Sequence, residues 1–416
     1  MPPTMNLDDL LLDVATSIEP SDADRKIIDK RYRELKTHLE RPNSALSEFL
    51  KNDKSRIYPQ GSISISATIL SGEKDDRFDV DAMVEFDVPP NWSNRKPLDV
   101  LFEALQGFPG AQKIVRNTRC VTIHFAFMHM DVTIMDPESE PRTERVGEIF
   151  HSPDTGESDR IPANPYGFAY WFRKSVHFQE GVGSFAERVA NRRIENSIDR
   201  LELSSPRAAD QDDLPATIPP RFDAQQVVAL KLIKRAFIVA YRNRGIKRPP
   251  SIYVTKKASD CGFEPLGLTS QVQRLAICLR DEMDKAIELV NGPDERNPTH
   301  IPDRINDRWP KHQMDRQTLR TVADEVTNCL EKAKSMSFTE VAKILSELFG
   351  ENISGQAVEK HLQRREGSNA STSVVKGVGT VIPSAILTAP GLAKETRIVP
   401  DHHFHCENSN ENEKDH

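Results

Sequence analysis

Tyr58-Pro59-Gln60-Gly61-Ser62, Phe78-Asp79-Val80-Asp81 and His129-Met130-Asp131-Val132 are the stretches that decide how this chain is read. A Gly-Ser turn stands ahead of a carboxylate pair two residues apart, and a third carboxylate follows on a later apolar segment. In a strand, alternate side chains share a face, so Asp79 and Asp81 project together while Val80 and Ala82 point the other way. Two carboxylates held side by side repel, and a divalent cation between them keeps both ionised. The segment from Val121 to Met135, VTIHFAFMHMDVTIM, is apolar, β-branched and aromatic and predicts one long buried central strand. An Asp inside such a strand is costly unless it is paired or metal-bound.

These observations imply a trio, Asp79, Asp81 and Asp131, that shares two Mg2+ ions about 3.5–4 Å apart, with Mn2+ as the alternative. One ion would activate an attacking hydroxyl and the other would steady a triphosphate and its leaving pyrophosphate. Asp131 is the expected acceptor of the hydroxyl proton. Gly61 lets backbone approach phosphate closely, and Ser62 adds a hydroxyl and free N–H groups at an expected helix start. Separately, Asp-x-Asp, Gly-Ser and a strand Asp are commonplace; their order and spacing together point to nucleotidyl transfer. Glu85 and Asp87 share the parity of the first pair but read as the solvated end of that strand, stopped by Val88-Pro89-Pro90.

The motifs YPQGSISISATIL, FDVDAMVEF and HMDVTIM resemble those of the bacterial cGAS/DncV-like nucleotidyltransferases (CD-NTases) of the polymerase-β-like superfamily. The similarity continues through NPYGFAYWF, ALKLIKRAF with RPPSIYV, and ERNPTHIPDRINDRW, spanning about Arg56 to Trp309. The resemblance implies an α/β (α+β) fold: a polymerase-β-like nucleotidyltransferase core with a mixed sheet, plus a helical C-terminal lobe. It implies that Gly61 and Ser62 hold the donor triphosphate, that Gln60 contacts nucleotide, that Lys234 binds triphosphate and that Ser251 contacts base or phosphate. Many relatives carry a Gly-Thr pair where this chain has Ser66-Ala67-Thr68. The implied activity joins nucleoside triphosphates (ATP, with GTP or others) into a cyclic di- or trinucleotide second messenger for anti-phage defence (CBASS), releasing pyrophosphate. The product would reach a separate effector protein, and a regulatory protein partner is compatible with the family. The rival readings are an enzyme making linear oligonucleotides or modifying RNA or protein, and an inactive scaffold.

Composition frames these expectations. The chain has 416 residues with 37% hydrophobic content, enough for two domains, and no apolar run approaches the roughly 20 residues that span a bilayer. Five scattered cysteines suggest neither a disulfide framework nor a zinc ribbon, and the acidic start MPPTMNLDDLLLDV lacks a basic signal region, so a cytoplasmic protein is expected. A net charge of −7 argues against stable binding of long nucleic acid. The segment from Lys231 to Lys257 is basic throughout; Lys231 and Lys234 lie one helical turn apart, so at least one suits a triphosphate, while Arg242 and Arg244 read as a solvated face.

The expected organisation is a helical spine over 1–55, a catalytic core over 56–220, a helical lobe over 221–365 and a partly disordered tail over 366–416. Charged, helix-period sequence from Asp22 to Leu50 predicts a helix broken near Pro42. The Pro-rich stretch from Pro137 to Pro165 predicts a surface loop, and the aromatics from Tyr166 to Phe172 predict core packing on a helix. A polar, Pro-rich loop is expected over Leu203 to Pro220. Further helices are expected over Phe222 to Asn243, Ser270 to Val290, Gln317 to Lys334 and Phe338 to Phe349, the last with the capping-box signature Ser337 to Glu340 and a stop at Gly350. The cluster His402-His403-Phe404-His405-Cys406 lacks a partner pair at zinc spacing.

Overall fold

Strand β1 (Arg56–Gln60) carries Pro59 and lies at the edge of the sheet, where a residue without an N–H costs no ladder bond. The structure, a computed structural model, describes residues 6–51, 54–71, 78–138, 144–176, 185–193, 224–242, 244–288 and 292–369. Beside β1 runs β2 (Phe78–Glu85), then β5 (Met128–Pro137), β4 (Val121–His124) and β3 (Lys113–Arg116), the order of the main path through a seven-stranded sheet. β2 and β5 are parallel and the other pairings are antiparallel, so the sheet is mixed.

The connection between the parallel strands runs through helix α5 (Lys96–Leu105), β3 and β4, and α5 packs its apolar stripe on β3, β4 and β5. Val80, Ala82, Met130 and Val132 point into that core, each at most 1% exposed. The opposite face of the same strands is left for polar side chains. This alternation follows from the two-residue period.

Sequence and structure part at the segment from Val121 to Met135. It folds as a hairpin rather than one strand: β4 ends at His124, the Phe125 N–H donates to the Met128 carbonyl at 2.9 Å, and β5 returns antiparallel. No Gly, Pro or Asn marks the turn. Phe127 at its tip is 54% exposed, so a run of uniform hydrophobicity hides the reversal. The expected loop from Pro137 to Pro165 also contains two strands, β6 (Gly147–His151) and β7 (Asp159–Ala163), which extend the sheet from the end of β5. Both are short, and Gly147 in β6 and Pro162 in β7 mask the alternation.

Ahead of the sheet, α1 (Leu7–Ser17) buries Leu10, Leu11, Leu12, Val14 and Ala15, α2 (Asp22–Leu39) follows from a Ser21–Asp24 capping box, and the short α3 (Ser47–Leu50) comes after Pro42. The one-turn α4 (Gly61–Ser64) follows β1, and α6 (Pro165–Ser175) follows β7. The later helices are α7 (Gln225–Arg242), α8 (Ser251–Asp260), α9 (Leu268–Glu288), α10 (Gln313–Ala333), α11 (Phe338–Phe349) and α12 (Glu351–Asn369). α7 is buried along nearly its whole length and packs against α1, α8, α9, α10 and α11. Between α9 and α10, β8 (Arg296–Asn297) and β9 (His300–Arg304) form a small hairpin against β7.

Contacts group Met1–Ser368 as one unit and Asn369–His416 as another. The expected loop from Leu203 to Pro220 and the His/Cys cluster from His402 to Cys406 lie outside the described residues. Among the described residues no helix is long and apolar enough to cross a membrane.

Candidate active site

The parallel register pairs Asp81 directly with Asp131, and Asp79 with His129. Because neighbouring strands lie about 4.8 Å apart, this places the three carboxylates on one face of two adjoining strands. All three line a cavity of about 520 Å³ together with Gly61, Ser62, Lys234 and Ser251. Gln60 does not line it; it faces Asp81 in the β1–β2 register and stands at the start of α4.

Gly61 is fixed by two constraints. Its φ is +60°, and a Cβ there would stand 2.1 Å from Asp81 Oδ2. No other residue lets the turn close on that carboxylate without displacing it. Past the turn, the Ser62 hydroxyl lies 3.2 Å from the Thr68 hydroxyl. Ser66, within the stretch where many relatives have Gly-Thr, takes a left-handed φ of 54°.

Asp131 is held by a second polar chain. Thr122, its register partner on β4, donates its hydroxyl to Asp131 Oδ1, and Asn117 Nδ2 donates to the same Thr122 hydroxyl at 2.7 Å. One oxygen of Asp131 is thereby oriented and the other is left for the site. Nothing in the apolar run announces Thr122; only the hairpin puts it there. On the other side, His129 Nδ1 stands 3.9 Å from Asp79 Oδ1, and the His124 and His129 rings meet edge to face at 4.4 Å.

Burial, then the charges of Asp131 and Asp79, push the Asp81 carboxyl up to about 7. Loss of solvent and the Asp131 charge also raise Asp79 above the ordinary carboxylate range. Opposite them Lys234 reaches in from α7. Its Nζ donates to the Ala67 carbonyl at 2.8 Å, and burial brings its pKa down to about 8 against the pull of Asp81 and Asp79. The carboxylate trio shares its cavity with Lys234, Lys247 and Arg248, the last of which also acts on Asp79, and hard oxygen donors of this kind suit magnesium. Among the described residues no three His, Cys, Asp or Glu groups enclose an ion by themselves.

Of Lys231 and Lys234, at least one of which is expected to suit a triphosphate, Lys231 is buried and donates to Glu19 Oε1 at 2.6 Å, and Lys234 is the one that lines the cavity. Two other expectations change. Glu85 is not solvated; it is 1% exposed, because β2 continues under the β1 edge, while Asp87 beyond the strand is exposed. The aromatics of α6 divide by helical face: Phe168 and Phe172 are buried, whereas Tyr166 and Tyr170 are 37% and 48% exposed.

Residues 5–175 match the family described as the Second Messenger Oligonucleotide or Dinucleotide Synthetase domain. A cyclic dinucleotide synthase of Bradyrhizobium diazoefficiens, CdnG, is 28% identical over 388 residues, covering 91% of this chain and 89% of that protein. The structure of that CD-NTase in complex with GTP superimposes with a TM-score of 0.72 over 86% of this chain and 99% of its own. The di-nucleotide cyclase DncV of Vibrio cholerae, solved with ATP and GTP, shares the fold at 13% identity and a TM-score of 0.52, covering 85% and 98%. A Gly-Ser turn against paired carboxylates on a mixed sheet thus stands in a chain whose residues 5–175 match a second messenger synthetase domain and which is similar over 91% of its length to a cyclic dinucleotide synthase.

Proposed function

We propose that this nucleotidyltransferase joins nucleoside triphosphates into a cyclic di- or trinucleotide and releases pyrophosphate at each bond. The observation that carries the reading is the packing of Gly61 onto Asp81 with Asp131 alongside, in a cavity that also contains Lys234. GTP is a substrate in this reading, by likeness to CdnG, and ATP is a second.

The donor triphosphate lies on the Gly61–Ser62 turn, with the Ser62 and Ser251 hydroxyls donating to it and Lys234 offsetting its charge. When bound, two magnesium ions would be held by Asp79, Asp81 and Asp131, lowering the pKa of the attacking hydroxyl and neutralising phosphate charge. Asp131, with Oδ1 fixed by Thr122, takes the proton of the ribose hydroxyl. The new bond forms between that oxygen and the α-phosphorus, and the bond to the β-phosphate oxygen breaks in line. Lys234 stabilises the charge gathering on the departing pyrophosphate, which is where electrostatic preorganisation acts. Ring closure repeats the step within the linear product once it has turned round in the cavity. The cyclic product would act in the cytoplasm on a separate effector, as part of anti-phage defence.

Incubation with labelled ATP, GTP, CTP and UTP plus magnesium, followed by phosphatase and chromatography, tests this. A phosphatase-resistant product is expected. A product that phosphatase trims to a linear oligonucleotide with a free 5′-hydroxyl would mean linear synthesis, since a ring has no terminal phosphate to lose, and labelled protein or RNA would mean a different acceptor.

A further inference from the structure

On the carboxylate face of the sheet, the strand register lines side chains up in two rows across β2, β5 and β4. One row is Asp81, Asp131 and Thr122. The next, one pleat nearer the hairpin turn, is Asp79, His129 and His124, because Asp79 pairs with His129 and His129 with His124. His124 Nδ1 stands 3.3 Å from His129 Nε2, and the other ring nitrogen of His129, Nδ1, stands 3.9 Å from Asp79 Oδ1. His129 therefore bridges, with one nitrogen toward His124 and the other toward the carboxylate. Both histidines are only partly buried, the His129 side chain being 28% exposed, and neither takes part in the transfer step described above.

Two imidazole nitrogens that face each other hold one bridging proton, and a cation in its place meets two lone pairs. A tetrahedral zinc ion bound to imidazole at about 2.0–2.1 Å sets its two nitrogens about 3.3 Å apart. The fold already holds His124 and His129 at that separation. Directly opposed residues on antiparallel strands are kept close by both backbones, so little freedom is lost when they close on an ion. Asp79 stands where a carboxylate fixes the tautomer and ring orientation of a metal-bound histidine. Nitrogen donors of this kind select late first-row divalent ions over magnesium, which prefers oxygen. Among the described residues no third His, Cys, Asp or Glu completes the set, so the remaining positions of the ion fall to water.

We propose that His124 and His129 bind a late first-row divalent cation of the zinc type, in a site that adjoins the magnesium carboxylates without being one of them, with Asp79 as the outer partner of His129. With zinc on Nε2, His129 carries its proton on Nδ1 and donates it to Asp79. A carboxylate engaged in this way is a poorer ligand for magnesium, so zinc slows nucleotidyl transfer, and added magnesium relieves the effect. The binding site stands on the two histidines alone; its inhibitory consequence rests on the nucleotidyl-transfer reading above.

Calorimetric titration of the full chain with zinc, in saturating magnesium, tests the binding. His124→Ala and His129→Ala should each take one equivalent fewer than wild type. Asp79→Asn should keep that equivalent at about tenfold lower affinity, the scale of an outer partner, and Asp81→Asn should keep it unchanged. Zinc taken up by the cluster from His402 to Cys406 is common to all these proteins and cancels in the comparison. Cobalt in place of zinc gives a second readout: a visible band of four-coordinate, imidazole-bound cobalt, present in wild type and Asp81→Asn and absent from both histidine variants. Equal zinc equivalents in wild type and the histidine variants would overturn the site. Loss of the equivalent in Asp81→Asn would do the same, by assigning the zinc to the carboxylates. In turnover with magnesium, the zinc concentration that halves the rate should rise by about tenfold or more in His124→Ala, each protein being compared with its own zinc-free rate. Zinc that binds the histidines and leaves wild-type turnover untouched would overturn the link through Asp79. Failure of wild-type protein to form any phosphodiester with magnesium alone would instead overturn the enzymatic reading, and the zinc titration would still decide the site.

Discussion

At the scale of single residues, function depends on contacts that leave no spare volume. Alanine at position 61 would carry a left-handed backbone at a cost of roughly 1–2 kcal/mol, but the larger effect is geometric, since its Cβ would fall on the Asp81 carboxylate. Gly61→Ala should lower kcat/KM more than a hundredfold with an unchanged far-UV circular dichroism spectrum; near-normal pyrophosphate release would show that Asp81 can move at no cost. Asp81 also sets a pH dependence in the metal-free protein. Its folded value of about 7 stands above the ordinary 3.8, so between these values the folded chain keeps a proton that the unfolded chain has lost. The stability this contributes is present at low pH and is lost as pH rises to about 7. Thermal melts without divalent cations should therefore show wild type losing stability relative to Asp81→Asn between pH 5 and pH 8; parallel curves would place the crowding elsewhere.

At the scale of elements, the hairpin of β4 and β5 is what gives Asp131 its support. A single long strand would have carried Asp131 with no Thr122 beside it. Folding the run back on itself brings a hydroxyl to the carboxylate and sets His124 beside His129. Other elements are closed by local chemistry. The Ser337 hydroxyl and Glu340 carboxylate form a reciprocal cap on α11, which ends at Gly350 with φ 92°. Ser337→Ala should cost about 1 kcal/mol in denaturant unfolding without altering turnover; no loss would mean that packing of Val341, Leu345 and Phe349 alone holds the helix.

At the scale of the whole molecule, a buried ion cluster ties distant segments together. Glu19, between α1 and α2, receives Lys231 of α7 at 2.6 Å and Arg193 at 2.7 Å. Burial alone would raise its carboxyl, but Lys231 and Arg193 outweigh it and hold Glu19 at about 2. A depressed carboxylate contributes stability above its unfolded pKa and loses it as pH falls from about 4.5 toward 2. Removing one partner of such a cluster strands the others, so Glu19→Gln should cost about 3 kcal/mol and flatten the acid limb of the stability curve. A change under about 0.5 kcal/mol would mean that water replaces the carboxylate. Lys234, one turn along from Lys231 on the same helix, lines the cavity, so this cluster also sets where that lysine stands.

Local rules were enough to read the carboxylate trio, the Gly-Ser turn and the capped helices from the sequence, because strand parity, glycine's freedom and capping chemistry act within a few residues. Helical spacing by itself left Lys234 as one of two candidates, since it gives a shared face but not what that face meets, and only the family resemblance singled it out; packing sent Lys231 to Glu19 and Lys234 to the cavity. The hairpin inside VTIHFAFMHMDVTIM, the strands hidden among prolines and the burial of Glu85 were not legible, because each depends on partners far along the chain. Thr122 beside Asp131 and His124 beside His129 are of the same kind. The sequence by itself determined which groups could do this chemistry, and tertiary structure alone decided which of them meet, since side-chain type is a local property whereas charge compensation and burial are set by residues that only folding brings close.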